Sequence, residues 1–137
     1  MKSIEIPSAK WRAFCDEFTG LHHGDLLTVE WLPSNGPRAE IARDMPLEEI
    51  KFDASDACLD TVVICLAQDG KRSIQHSVVD PFHLIVRPLP DGKKVLELDA
   101  ENGTTLVTFH SGTLAEAVAA AEAPGKYRSA QKGGRYI

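Results

Sequence analysis

The chain lacks most of the features by which a sequence announces its function. No apolar run approaches the roughly 20 residues that a bilayer-spanning helix needs, and the opening MKSIEIPSAK has no apolar signal-peptide core. A soluble, cytoplasmic protein with no membrane partner is therefore expected. Cysteine is scarce: Cys15, Cys58 and Cys65 form no CxxC pair, and each lies in or beside an apolar segment. That pattern excludes a disulfide scaffold or an ordinary zinc site and suits reduced core thiols. Phosphate loop, GxGxxG after a strand, GxSxG elbow and HExxH are all missing. No catalytic residue, metal or cofactor is assigned on this basis. Repeats, low-complexity tracts and long linkers are absent too, so no domain boundary is seen and one domain is expected over residues 1–112.

What is present describes an ordinary globular domain. The 137 residues weigh 15.0 kDa. Area scaling gives roughly 7,000 Å² exposed when folded against roughly 22,000 Å² extended, enough burial to need no staple. Charge is unevenly placed. The stretch from Pro124 holds Lys126, Arg128, Lys132 and Arg135 without an acid, for +4, whereas the residues before it carry 11 bases and 20 acids, for −9. An acidic body repels a phosphate backbone, so nucleic acid is disfavoured as a partner. A solvated terminus is the plain reading of the basic tail; the alternatives are contact with an acidic partner, with RNA, or with the acidic body of its own or a second chain.

Periodicity predicts a helix over residues 8–19, with Ser8 as its cap and Gly20 as its stop. Trp11, Phe14, Cys15 and Phe18 share one stripe of it and point to a core face. Alternation then predicts strands at 26–32 and 38–43 around a loop at 33–37. Residues 44–58 have a weaker pattern, read as a helical turn over 45–50 before a short strand at 50–52. The run Leu59–Ala67 is apolar on both faces and fits a central strand. Strands at 72–79 and 82–87 follow, broken by Asp80-Pro81. Asn102-Gly103 reads as a type I′ hairpin turn, pairing Leu98 with Val107 and Leu96 with Phe109. A last helix is expected from Thr113, capped through Glu116, with Leu114, Ala117, Val118 and Ala121 as its stripe and Pro124-Gly125 as its end. The fold class is α+β, mainly antiparallel β. An N-terminal helix packs on a curved meander sheet or small β-barrel, followed at 113–137 by a short C-terminal helix and basic tail.

Histidines supply the best candidate site. A two-residue turn at Asp80-Pro81 would pair Val79 with Phe82 and His76 with Ile85, placing His76, His83 and Arg87 on one hairpin face. Those three are the candidate binding residues, for an anion or small ligand, and a half-exposed sheet face is the plain alternative. His22-His23 sits where a helix dipole favours imidazolium. The acids Glu48, Glu49, Asp53, Asp56 and Asp60 lack EF-hand spacing and read as a solvated loop face.

Five segments, Trp11–Phe14, Leu27–Glu30, Ala42–Leu47, Ile74–Pro81 and Leu96–Thr105, resemble an uncharacterised family of small bacterial proteins that carries only a domain-of-unknown-function label. The resemblance covers roughly residues 6–110 and implies a bacterial, soluble setting, with no activity or site residue to transfer. Two functions remain in view. The first is a non-enzymatic protein-binding or accessory module, with a protein partner or a homo-oligomer. The second is a small-molecule binder or enzyme whose barrel cavity is lined by His76, His83 and Arg87.

Overall fold

The structure, a computed structural model, describes residues 2–54, 60–68 and 72–110. The expected helix from Thr113, the basic tail and Cys58 lie outside the described residues. In chain order come β1 (Ile4–Glu5), a 3-10 turn (Ser8–Lys10), α1 (Trp11–His22), β2 (Leu26–Pro33) and β3 (Ala39–Asp53). These are followed by β4 (Thr61–Gln68), β5 (Arg72–Val79), β6 (His83–Pro88), β7 (Lys93–Ala100) and β8 (Gly103–His110). All strand pairings are antiparallel, in the spatial order β1-β6-β7-β8-β2-β3-β4-β5. The α+β class and antiparallel sheet are as expected. The path is not one meander, however, and the sheet does not close into a barrel. Two meanders, β2 to β5 and β6 to β8, are joined by pairing of β2 with β8.

Helix α1 follows from its aromatic stripe. Trp11, Phe14, Cys15 and Phe18 are buried, and Phe18 meets Phe109 of β8 edge-on at 5.3 Å. Thr19 ties the helix to β3: its hydroxyl donates to the Ile50 carbonyl at 2.9 Å and accepts from the Ile50 amide at 3.0 Å. The backbone edge that β3 offers there is thus satisfied by a side chain instead of a strand. Two sequence expectations change. Ser8 opens the 3-10 turn, and no side chain caps α1. Gly20 does not stop the helix, which runs on to His22; the left-handed residue that ends it is Gly24, with φ +87.

β3 replaces the helical turn expected at 45–50. Its buried residues Ala42, Met45, Leu47 and Ile50 are spaced three, two and three apart. Register shifts against β2 and β4 put extra residues into β3, one between Leu47 and Glu49 and others between Glu40 and Met45. Each bulge lengthens the alternation from two to three, and that spacing imitates a helix. Asp44 sits at φ 50 in this irregular stretch. Past it, the strand exchanges β2 for β4 as partner: Pro46 lies opposite Leu26, and Leu47 opposite Leu66. β4 is buried on both faces from Val62 to Leu66, as expected, but it lies one strand in from the sheet edge, between β3 and β5, rather than at the centre.

The last hairpin forms, but in a different register. Ala100 lies opposite Gly103, so Leu98 faces Thr105 and Leu96 faces Val107. The turn residues are Glu101 and Asn102, neither with positive φ, so the turn is not type I′. Gly103 belongs to β8 at φ +151, where a Cβ would stand 2.5 Å from the Leu32 carbonyl oxygen and 2.7 Å from the Trp31 ring. Its glycine serves close packing against β2. The slip is by two residues, so every side chain keeps its face.

Candidate functional site

Asp80-Pro81 determines where the chemistry of this chain can lie. β5 pairs with β4, and β6 pairs with β1 and β7, so residues 80–82 carry the chain from one meander to the other. The hairpin that would have paired Val79 with Phe82 does not form. Asp80 adopts φ 53, a left-handed conformation that Asp tolerates better than most residues. Its amide donates to the Asp60 carbonyl at 2.6 Å, and the Phe82 amide donates to the Asp99 carbonyl at 2.8 Å. The two ends of the crossover are therefore pinned to separate parts of the sheet, to Asp60 just before β4 and to Asp99 in β7, and Pro81 between them has no amide to place.

The predicted trio is separated by this path. His76 shares the core-facing side of β5 with Ile74 and Val78, where its Nε2 meets the Thr105 hydroxyl at 2.8 Å and its ring lies 5.8 Å from that of Trp31. Burial holds its pKa below the usual histidine value. His83 and Arg87 occupy the exposed face of β6. His83 Nδ1 meets Glu5 at 2.6 Å, and that hydrogen bond, helped by the charges of Glu5, Asp99 and Glu97, raises its pKa. Arg87 Nε donates to Glu97. His83 and Arg87 share a face; His76 does not join them. They pin β6 to its neighbours β1 and β7.

Other reactive groups are equally occupied. Burial pushes the Cys15 thiol up to about 12, and Cys65 is buried. The Cys15 thiol is not a ready nucleophile, since the thiolate is the reactive form. His22 is buried between Phe18 at 4.7 Å and Phe109 at 5.2 Å, with Nδ1 2.9 Å from Asp25. Its Nε2 has no hydrogen-bond partner among the described residues. The placement near the helix end was legible from sequence, the burial was not. Among the described residues no group of three or more His, Cys, Asp or Glu is gathered to hold a metal, and no helix is long and apolar enough to cross a membrane.

The crossover itself forms the feature that sequence reading missed. Val79, Asp80, Phe82, Glu101 and Asn102 line an open cleft of about 660 Å³. Phe82 is 56% and Val79 46% exposed, two of the three large apolar residues most open to solvent among those described. The carboxylates of Asp80 and Glu101 stand beside them, and no cation among the described residues pairs with either. The far wall is braced: the Ser34 amide donates to the Asn102 carbonyl at 3.0 Å and the Ser34 hydroxyl to the Glu101 carbonyl at 3.0 Å. A second depression, beside Leu26 and Phe109, holds only about 30 Å³, near the room one water needs. Sequence placed Val79 and Phe82 together on a face, but only the crossover brings the Glu101-Asn102 turn against them.

Compared with family models, with curated proteins and with solved structures, the chain matches none. The chemistry of the cleft alone therefore carries a functional reading.

Proposed function

We propose that this chain is a non-enzymatic binding module, and that the crossover cleft takes a short basic segment of a partner protein bearing an apolar side chain. The observation that carries this reading is an exposed Phe82 and Val79 beside Asp80 and Glu101, whose carboxylates pair with no cation among the described residues. The apolar floor rewards burial of a side chain, worth about 1.5–3 kcal/mol if complete. The carboxylates select for Lys or Arg, each exposed pair adding up to about 1 kcal/mol. After the cost of association, sums of that size suit a weak and transient contact. The −9 body adds a long-range preference for cationic partners. Membership of the bacterial family that the five segments resemble belongs to the same proposal. The alternative, a ligand cavity lined by His76, His83 and Arg87, draws no support from residues on opposite faces of an open sheet.

A fluorescein-labelled Lys/Leu peptide tests the reading by anisotropy in low salt. In a full-length background with Lys126, Arg128, Lys132 and Arg135 changed to Gln, so that the chain's own cations do not compete, binding that weakens about tenfold in Phe82→Ser, a loss of about 1.4 kcal/mol, and again in Asp80→Asn/Glu101→Gln is expected. Equal binding of a Glu/Leu peptide, or no change in either variant, would remove the proposal.

A further inference from the structure

We infer that the cleft has a resident competitor: the basic segment 124–137 of the same chain, which occupies it in cis and must leave before a partner binds. The inference rests on the reading of the cleft given above. Charge and chemistry come first. The segment carries Lys126, Arg128, Lys132 and Arg135 with no acid, interleaved with Tyr127, Tyr136 and Ile137. It therefore combines cations and apolar groups, the two kinds that Asp80, Glu101, Phe82 and Val79 select.

Reach comes second. β8 leaves the cleft at Gly103, beside Asn102, and ends at His110. Eight residues of strand carry the chain about 26 Å from the cleft. Even if residues 111–123 were wholly helical they would span about 20 Å, and extended they would span about 40 Å. Either length lets residues beyond Pro124 return to the cleft of their own chain. A tether of that length keeps the segment at a local concentration on the order of millimolar. At ordinary protein concentrations that favours the chain's own tail over the tail of a second copy.

The test compares the full chain with a full-length variant in which Lys126, Arg128, Lys132 and Arg135 are all changed to Gln. With the labelled Lys/Leu peptide in low salt, the variant is expected to bind about tenfold more tightly, and the gain to fade in high salt as screening removes the competition. Amide shifts between the two forms should concentrate at residues 79–82 and 101–103. Equal affinity for the probe in both forms would overturn the tail's role while leaving the binding reading intact. A difference that grows with protein concentration would overturn it as well, since that assigns the tail to a second copy. If neither form binds the probe, the reading of the cleft fails and the resident tail with it.

Discussion

The two ends of the sheet are built from similar residue types and treat them in opposite ways. At the α1 end, Phe14, Phe18, His22 and Phe109 close on one another with ring centroids 4.7 to 6.0 Å apart, and each is at most 2% exposed. At the crossover end, Phe82 and Val79 are about half exposed beside the carboxylates of Asp80 and Glu101, which pair with no cation among the described residues. The difference is what lies over each surface. A helix covers the first, and its Thr19 bonds to Ile50 fix the distance. Among the described residues nothing comparable covers the second. One end is closed by packing, and the other is left open, where the proposed binding would take place.

That contrast breaks first at Phe18. Phe18→Ala removes ring contacts to three partners in a packed interior and should cost about 3–5 kcal/mol, read as a fall in the urea midpoint. A cost under about 1 kcal/mol would show that the α1 end is not the stable one. Gly103→Ala comes next. Its Cβ has no room beside the Leu32 carbonyl, and the forced shift of β8 against β2 should cost about 1–3 kcal/mol. An unchanged midpoint would mean that the two strands separate freely. Phe82→Ser sharpens the comparison from the other side: stability should stay within about 0.5 kcal/mol while peptide binding falls. A large loss of stability would place Phe82 in the core after all.

The smallest expected effect concerns pH. His76 has a depressed pKa in the folded state, so the unfolded chain binds a proton there more readily. Its contribution to stability is present above the unfolded value of about 6.5 and is lost as pH falls toward the folded value. His76→Gln should flatten the fall in urea midpoint between neutral and mildly acidic pH. His83, with a raised pKa, has the opposite sign: its bond to Glu5 holds β1 to β6 below about pH 6.5 and weakens as pH rises through the raised value. Persistence of the wild-type slope in His76→Gln would assign the acid sensitivity to other groups.

Local pattern was a good guide wherever neighbours in sequence are also neighbours in space. The stripe of α1, the alternation in β2 and the two-sided burial of β4 were all legible that way. Even the misplaced hairpin turn kept its faces, because a slip of two leaves the pleat unchanged. Reading failed where one residue had two uses. Gly103 looked like a turn glycine and is a packing glycine. Met45, Leu47 and Ile50 looked helical because bulges stretch a strand's period toward three. His22 lies close to the end of its helix, as expected, yet its burial depends on Phe109, 87 positions away.

The sequence by itself determined the class of the fold, the helix and its buried face, and the division of charge between an acidic body and a basic tail. These depend on periodicity and composition, which act over a few residues or over the whole chain. Only the tertiary structure decided that the chain leaves β5 for the far side of the sheet, that His76 parts from His83 and Arg87, and that Val79 and Phe82 meet Glu101 and Asn102. Those outcomes depend on which backbone groups find partners across long separations, as Asp80 does with Asp60 and Phe82 with Asp99. No local rule specifies such choices, because each is settled by satisfying hydrogen bonds in the sheet as a whole.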